Sequence, residues 1–383
     1  MSGPLTGIRI IEMAGMGPGP FCGMLLADMG ADVVRVERLA ASDRGIDFPP
    51  RFDLLNRSKR SIAVDLKVAE GKASLLQLIA SADALIEGYR PGVMERLGLG
   101  PQDCQRVNPK LVYGRITGWG QDGPLAQAAG HDLNYIALAG ALHAIGPANG
   151  KPSVPLNLIG DFGGGALYLA MGMLAAILEA RQSGQGQVVD TAMVDGVASL
   201  MTMQYALKQM GAWKGARGKN LLDGGAPFYD VYETADGRHV SVAPVERRFY
   251  EELLERMGLS TAELPAQNNA KEWDQLRARL SEVFKTRTRD EWCSLLEGSD
   301  ACFAPVLDIE EAAAHPHQVA RGVYTRVDGV LQAQPAPRFS RTPASLRNAP
   351  PAPGSNTREV LLDWGFDKQA VDQLQTAGHV ASA

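Results

Sequence analysis

Residues 8–37 read IRIIEMAGMGPGPFCGMLLADMGADVVRVE, and this stretch decides the fold. Residues 8–12 form an apolar run of strand length, and 15–20 are a Gly/Pro turn. Residues 21–29 carry a helical pattern closed by Gly30, and the run DVVRVE at 32–37 is a second strand. A strand, a tight turn, a helix and a strand at this spacing predict a βαβ unit in a parallel sheet. The pattern continues outward, with strands at 61–66, 84–88 and 111–116 and a helix at 71–82. The fold class expected is therefore α/β, with a doubly wound sheet. Residues 131–179 read as largely helical, 187–192 as a strand and 194–213 as one long helix rich in Met and Ala. After Gly224-Gly225 the pattern changes. Strands at 229–233 and 239–243 flank an Asp-Gly turn at 236–237, which predicts a hairpin. Helices at 247–257, 272–285 and 289–296 follow, then strands at 324–327 and 332–334 and helices at 357–364 and 368–376. This organisation predicts a large domain over 1–192, a linker helix over 193–224, a smaller α+β domain over 225–310, and a return to the large domain over 311–383.

Composition narrows the function. Of 383 residues, 45% are hydrophobic and 21% charged, ordinary globular values. The net charge of −5 lacks the basic excess of a nucleic-acid binder, so no nucleic-acid partner is expected. Cys22, Cys104, Cys293 and Cys302 form no CxxC pair and have no His at ligand spacing, so no metal site is expected. Reduced thiols acting as small hydrophobes suit a cytoplasmic protein. The N-terminus shows no basic region ahead of a long apolar core, and the apolar run 166–178 is short for a membrane span.

Several motifs invite a chemical reading. Gly15-Met16-Gly17-Pro18-Gly19-Pro20 sits where a dinucleotide fingerprint would, with Glu37 near the place of a ribose-binding acid. Pro18 and Pro20 lack the N–H groups that cradle a pyrophosphate, which favours a rigid turn lining a cleft over a nicotinamide site. Asp161-Phe162-Gly163 imitates a kinase triplet without its companions, and no GxSxG nucleophile occurs. What remains is His131, Asp161 and Glu246, each at a predicted loop-to-helix junction. Asp161 suits an N-cap and Glu246 a helix first turn, so capping and catalysis both account for them. His131 is a poor cap, and a positive helix end holds an imidazole neutral, as a base requires. Arg38, Arg57, Lys59, Arg60, Lys67, Arg90 and Arg96 fall at strand ends and loops, where a phosphorylated ligand would bind a doubly wound sheet.

Long segments carry a resemblance. PLTGIRIIEMAGMGPGPFCGMLLADMGADVVRVER, DLK, IEGYRPGVMERLGLGP, TGWGQDGPLAQAAGHDLNYIALAG, PLNLIGDFGGG and GQVVDTAMVDG, in this order, resemble the α-methylacyl-CoA racemases of the family III (CaiB/BaiF-like) CoA transferases. The resemblance implies a Rossmann-like CoA-binding domain, a small domain, and two copies interlocked as a homodimer. It implies that His131 and Asp161 are the two acid/base residues flanking the substrate α-carbon and that Glu246 supports His131. It also places Arg38, Lys67, Tyr89, Arg90, Arg96, Asp132 and Tyr135 in CoA-binding segments.

The implied reaction removes the α-proton of a 2-methylacyl-CoA and returns it to the opposite face, with no cofactor beyond the CoA thioester itself. Inversion needs a base on one face and an acid on the other. The enolate oxygen needs donors, for which the Gly-rich turn at 163–165 is the sequence's candidate. A Met-rich surface (Met193, Met201, Met203, Met210) offers room for an apolar acyl group. The main alternative is CoA transfer between carboxylic acids, with Asp161 as the nucleophile that forms a mixed anhydride. A nicotinamide oxidoreductase and a non-catalytic acyl-CoA binder are the remaining readings.

Overall fold

The structure, a computed structural model, describes residues 3–40, 48–213 and 215–382. It divides into two compact units. One comprises Met1–Ala139, Leu156–Leu200 and Val319–Ala383, and the other Gly140–Pro155 and Met201–Gln318. The second unit thus takes in more chain than the 225–310 read from the sequence.

In chain order the first unit opens with β1 (Arg9–Met13), β2 (Asp32–Glu37), β3 (Arg60–Val64), β4 (Ala84–Glu87), β5 (Val112–Thr117) and β6 (Val188–Ala192). Strands β1 to β5 are buried on both faces, which is why they read as near-continuous apolar runs, whereas β6 at the sheet edge is partly exposed. Successive residues point to opposite sides. Ile11, Val34, Leu85 and Tyr113 face one core, shared with Leu75, Leu78 and Cys104 of the helices Ala69–Ile79 and Pro101–Val107 and with Val360 and Val371 near the C-terminus. Ile10, Val33, Ile86 and Val112 face the other, against Cys22 and Leu26 of the helix Pro18–Asp28 and Leu169, Met173 and Ile177 of the helix Leu167–Ser183.

The second unit holds β7 (Asp230–Glu233), β8 (His239–Val242) and β9 (Phe303–Pro305), an antiparallel sheet in that order. The helices Arg247–Met257, Trp273–Phe284 and Arg289–Leu296 cover it through Leu253, Leu254, Leu280, Phe284 and Trp292. The chain then forms the hairpin β10 (Tyr324–Val327) and β11 (Val330–Ala333), the helices Thr357–Asp363 and Lys368–Thr376, and β12 (Val380–Ala381).

The large sheet has the order β12-β3-β2-β1-β4-β5-β6, parallel except for β12 on the β3 edge. From β1 the chain runs outward to β2 and β3, then returns to β4 on the other side of β1. The crevice beyond the C-terminal ends of β1 and β4 is where such sheets bind ligands.

Two expectations need correction. The single helix over 194–213 is broken at Met201 into Met193–Leu200 and Thr202–Gln209. The apolar stretch read as 166–178 is part of a continuous helical segment, Leu158–Ser183, of 26 residues. Its length and composition would suit a membrane span, but its inner side, with Leu169, Met173 and Ile177, is committed to the sheet.

A buried ion pair fixes the turn after β1. Lys59 Nζ donates to Glu12 Oε2 at 2.6 Å, to the Pro20 carbonyl at 2.9 Å and to Asn56 Oδ1 at 3.1 Å. Gly23 makes room, since a Cβ there would lie 1.8 Å from Glu12 Oε2. The first turn of Pro18–Asp28 is therefore tied to the strand beneath it.

Candidate active site

The turn after β1 ends at Gly17 (φ 65°), and Pro18 opens the helix. That conformation needs glycine, and Pro is preorganised for the first helical position. The absent side chain matters as much, because a Cβ on Gly17 would lie 3.0 Å from Asp161 Oδ2. The Asp161 carboxylate is thus seated against the β1 turn, in the crevice where the strand order reverses.

Asp161 is not the N-cap its sequence context suggested. It lies inside a π-helical segment, Leu158–Ala166, that runs directly into Leu167–Ser183. Such segments widen a helix by i→i+5 bonding and often mark functional sites. The capping acid is Asp132. Its Oδ2 accepts the Gly160 and Asp161 amides at 2.6 and 2.7 Å, and Asp132 is only 4% exposed. The Asp132 carboxylate, read as part of a CoA-binding wall, is on its observed contacts the anchor of the Asp161 backbone.

The expected donor set at 163–165 is also corrected. These residues lie within the π-helix, whose amides are taken by carbonyls five residues back. The glycines serve close packing instead. A Cβ on Gly164 or Gly165 would press on Val197 or Met193, one on Gly160 would press on the Asp132 carboxylate, and one on Gly163 would touch Leu200. Met193, one of the four methionines assigned to an acyl surface, is buried in this contact.

Burial pushes the Asp161 carboxyl above the ordinary Asp range. The Asn157 hydrogen bond draws it down, the Asp132 charge raises it, and His131 draws it down. Asn157 Nδ2 donates to Asp161 Oδ2 at 3.1 Å. The sequence reading missed Asn157, although an amide four residues before an acid on a helical path is a recognisable pairing. Leu156, just before it, holds a positive φ of 59°, a local strain of the kind that gathers at functional sites.

His131 occupies the N-cap position of the helix Asp132–Leu138, as expected, and its ring is exposed. Its own N–H donates to Asn134 Oδ1 at 3.1 Å, which fixes the start of that helix. Tyr135, one turn on, donates its hydroxyl to the Gly130 carbonyl and meets Trp119 edge-on at 4.8 Å. Burial, with Asp161 nearby, pushes its pKa up to about 12, and Arg90 pulls it back. His131, Asp132, Tyr135, Arg90 and Asp161 are therefore one neighbourhood.

The remaining ligand-site residues fall into two groups. Arg38 follows β2 and Tyr89 follows β4; the Tyr89 hydroxyl donates to the Ala14 carbonyl at 3.2 Å, and Arg38 lies beside it. Arg38, Arg90 and Arg96 are exposed, as is Lys67, which lies farther out beyond β3. By contrast Arg57, Lys59 and Arg60 are engaged by Asp28, Glu12 and Asp32 at 2.7, 2.6 and 2.6 Å. Those three cations hold the fold.

Glu246 belongs to the second unit, immediately before Arg247–Met257. Its carboxylate is exposed and makes no capping bond among the described residues. Gln267 presents this loop. Its Nε2 donates to the Pro244 and Val245 carbonyls, both at 3.0 Å, and it is 9% exposed. No local sequence signal tied Gln267 to a loop some twenty residues earlier.

The chain is similar over nearly its whole length to known proteins. The alpha-methylacyl-CoA racemase of Mus musculus is 45% identical over 374 residues, covering 97% of this chain and 96% of that protein. The Homo sapiens alpha-methylacyl-CoA racemase is 42% identical over 377 residues, with 97% and 96% covered. The crystal structure of a CAIB/BAIF family protein from Brucella suis superposes with a TM-score of 0.82 at 24% identity, over 95% of this chain and 100% of that one. Residues 5–357 match the family described as CoA-transferase family III, and the chain belongs to that family.

Proposed function

We propose that the protein is an α-methylacyl-CoA racemase, an enzyme that interconverts (2R)- and (2S)-2-methylacyl-CoA thioesters. The observation that carries this reading is the half-buried Asp161 carboxylate seated at Gly17, with His131 close enough to act on its charge. Asp161 and His131 would exchange protons with the α-carbon from opposite faces, each acting as base in one direction and acid in the other. A carboxyl raised by burial is better matched to returning a proton near neutral pH than an ordinary exposed Asp. Glu246 would support the imidazole without touching substrate. The CoA nucleotide would lie on a Rossmann-like sheet edge, with Arg38, Arg90, Arg96 and Lys67 toward its phosphates and Tyr89 and Tyr135 along its length. No further cofactor enters the chemistry.

Two copies would interlock, with the large domain of one and the small domain of the other completing each site. Support comes from Leu167, Met171 and Leu178 on Leu167–Ser183 and Val188 on the edge strand β6, all exposed apolar side chains. A folded monomer in sedimentation at working concentration would refute the dimer.

The function is tested by incubating (2R)-2-methylacyl-CoA with the protein in D₂O. The expected result is α-deuterium together with loss of chirality, and loss of racemisation in Asp161→Ala and in His131→Ala with CoA binding near wild type. If hydroxylamine instead trapped an acyl group at Asp161, with an added carboxylate accepting CoA and no α-exchange, the transferase reading would replace this one.

A further inference from the structure

We propose that Gly196 is a positioning residue for proton transfer at Asp161, an inference that rests on the acid/base reading of Asp161 given above. Gly196 is buried in the helix Met193–Leu200, which lies along the π-helical segment. A Cβ on Gly196 would fall 1.8 Å from the Gly164 carbonyl oxygen, 2.6 Å from its carbon and 2.8 Å from its Cα. In the reverse direction a Cβ on Gly164 would meet the Val197 nitrogen at 2.8 Å. The two backbones therefore touch directly, and only a glycine pair permits it.

This contact bears on Asp161 because the π-segment is held on two sides. Its far side is held by Asp132, whose Oδ2 would be 2.6 Å from a Cβ on Gly160. Asp161 lies between these two supports, three residues before Gly164, and its carboxylate is delivered against Gly17. A methyl group at residue 196 must displace backbone, because the atom it meets is a carbonyl of the segment and not a flexible side-chain end. Displacing a catalytic group on the order of 1 Å costs about a hundredfold in rate. His131 stands on a different helix, Asp132–Leu138, which also packs on Met193–Leu200, but the atoms that a Cβ on Gly196 would meet all belong to Gly164 of the π-segment.

The test is α-exchange in D₂O, measured separately from (2R)- and (2S)-2-methylacyl-CoA, with kcat and KM, on the full-length protein. Asp161→Asn is expected to suppress exchange from one enantiomer far more than from the other, which identifies the Asp161 face. Gly196→Ala is expected to suppress exchange from that same enantiomer, about a hundredfold, with KM little changed. Gly172→Ala is the control. Its Cβ would meet the Val189 side chain at 2.8 Å, a milder strain on Leu167–Ser183 away from Asp161, and it should lower stability while leaving the ratio between enantiomers intact. If Gly196→Ala yields no folded protein, Gly164→Ala takes its place, since its Cβ would meet the Val197 nitrogen of the same helix at 2.8 Å. Equal suppression from both enantiomers in a folded Gly196→Ala, alongside a selective Asp161→Asn, overturns the positioning role alone. An Asp161→Asn that suppresses both equally overturns the two-base reading and this proposal with it.

Discussion

Replacing Asp132 with Ala should be among the most costly single changes in the large unit. Its Oδ2 takes two backbone amides at 2.6 and 2.7 Å in a site 4% exposed. A hydrogen bond to a charged group contributes about 1.5–3 kcal/mol, and stranding a buried donor forfeits its hydration as well. Two such donors set the expected loss at about 3–5 kcal/mol. Urea unfolding should show a lower midpoint at an unchanged slope, since neither end state changes in compactness. Asp132→Asn keeps an acceptor oxygen and should lose less than half as much. It also removes a negative charge that raises the Asp161 carboxyl, so the acid limb of the rate profile should move to lower pH. An Asp132→Ala protein within about 1 kcal/mol of wild type would refute the anchoring argument, because one bond to a charged group is worth more than that.

Four further outcomes follow from named residues. Burial holds the folded Asp161 carboxyl above its ordinary value of 3.8, so the folded state binds that proton more tightly than the unfolded chain does. Its contribution to stability is then full below the unfolded value and lost as pH rises through the raised one. Asp161→Asn should lose racemisation yet be more stable than wild type at neutral pH, with the gain fading toward pH 3.8 in thermal melts; a less stable variant at pH 7 would contradict this. Lys59→Met leaves buried Glu12 with only the more distant Arg35, 3.9 Å away, and should cost about 3–5 kcal/mol, much of it recovered when Glu12→Gln is added; additive losses in a double-mutant cycle would count against the pair. Gln267→Ala strips both carbonyls before Glu246 of their donor and should cost about 1–3 kcal/mol. Glu246→Gln, at an exposed site, should change stability by less than about 0.5 kcal/mol while lowering turnover more mildly than loss of His131.

Much of the architecture was legible because it is local. β2 and the helices Arg247–Met257 and Arg289–Leu296 have the bounds their periodicity gives, and the Asp-Gly turn at 236–237 joins β7 to β8. β9 was missed because it is three residues long and ends in Pro305, too short to show alternation. The break at Met201 was missed because no Gly or Pro marks it. The cations show the limit most clearly. Arg57, Lys59 and Arg60 stand in one short run, and nothing local says that each is already matched. Their acids are 29, 47 and 28 residues away, on the far side of one or more strands.

The Gly-rich segment around Asp161 shows why a site residue can be legible while its support is not. Glycine has two uses that a sequence does not separate, an exposed turn that offers amides to an anion and a backbone that lets a neighbour come close. The spacing in GDFGGG suits the first use, and the structure takes the second at each of its four glycines. Gly160 admits the Asp132 carboxylate, and Gly163, Gly164 and Gly165 admit the helix Met193–Leu200. These neighbours begin 28 residues before and 28 residues after the segment, at Asp132 and Met193, so no window along the chain contains both. Gly17 completes the arrangement from a third element, leaving the space that the Asp161 carboxylate enters. An acid beside small residues stands out in a sequence, and Asn157 four residues before it is a local partner, but its direction and protonation depend also on Asp132 and Gly17, whose contact with it exists only once the sheet has brought their elements together.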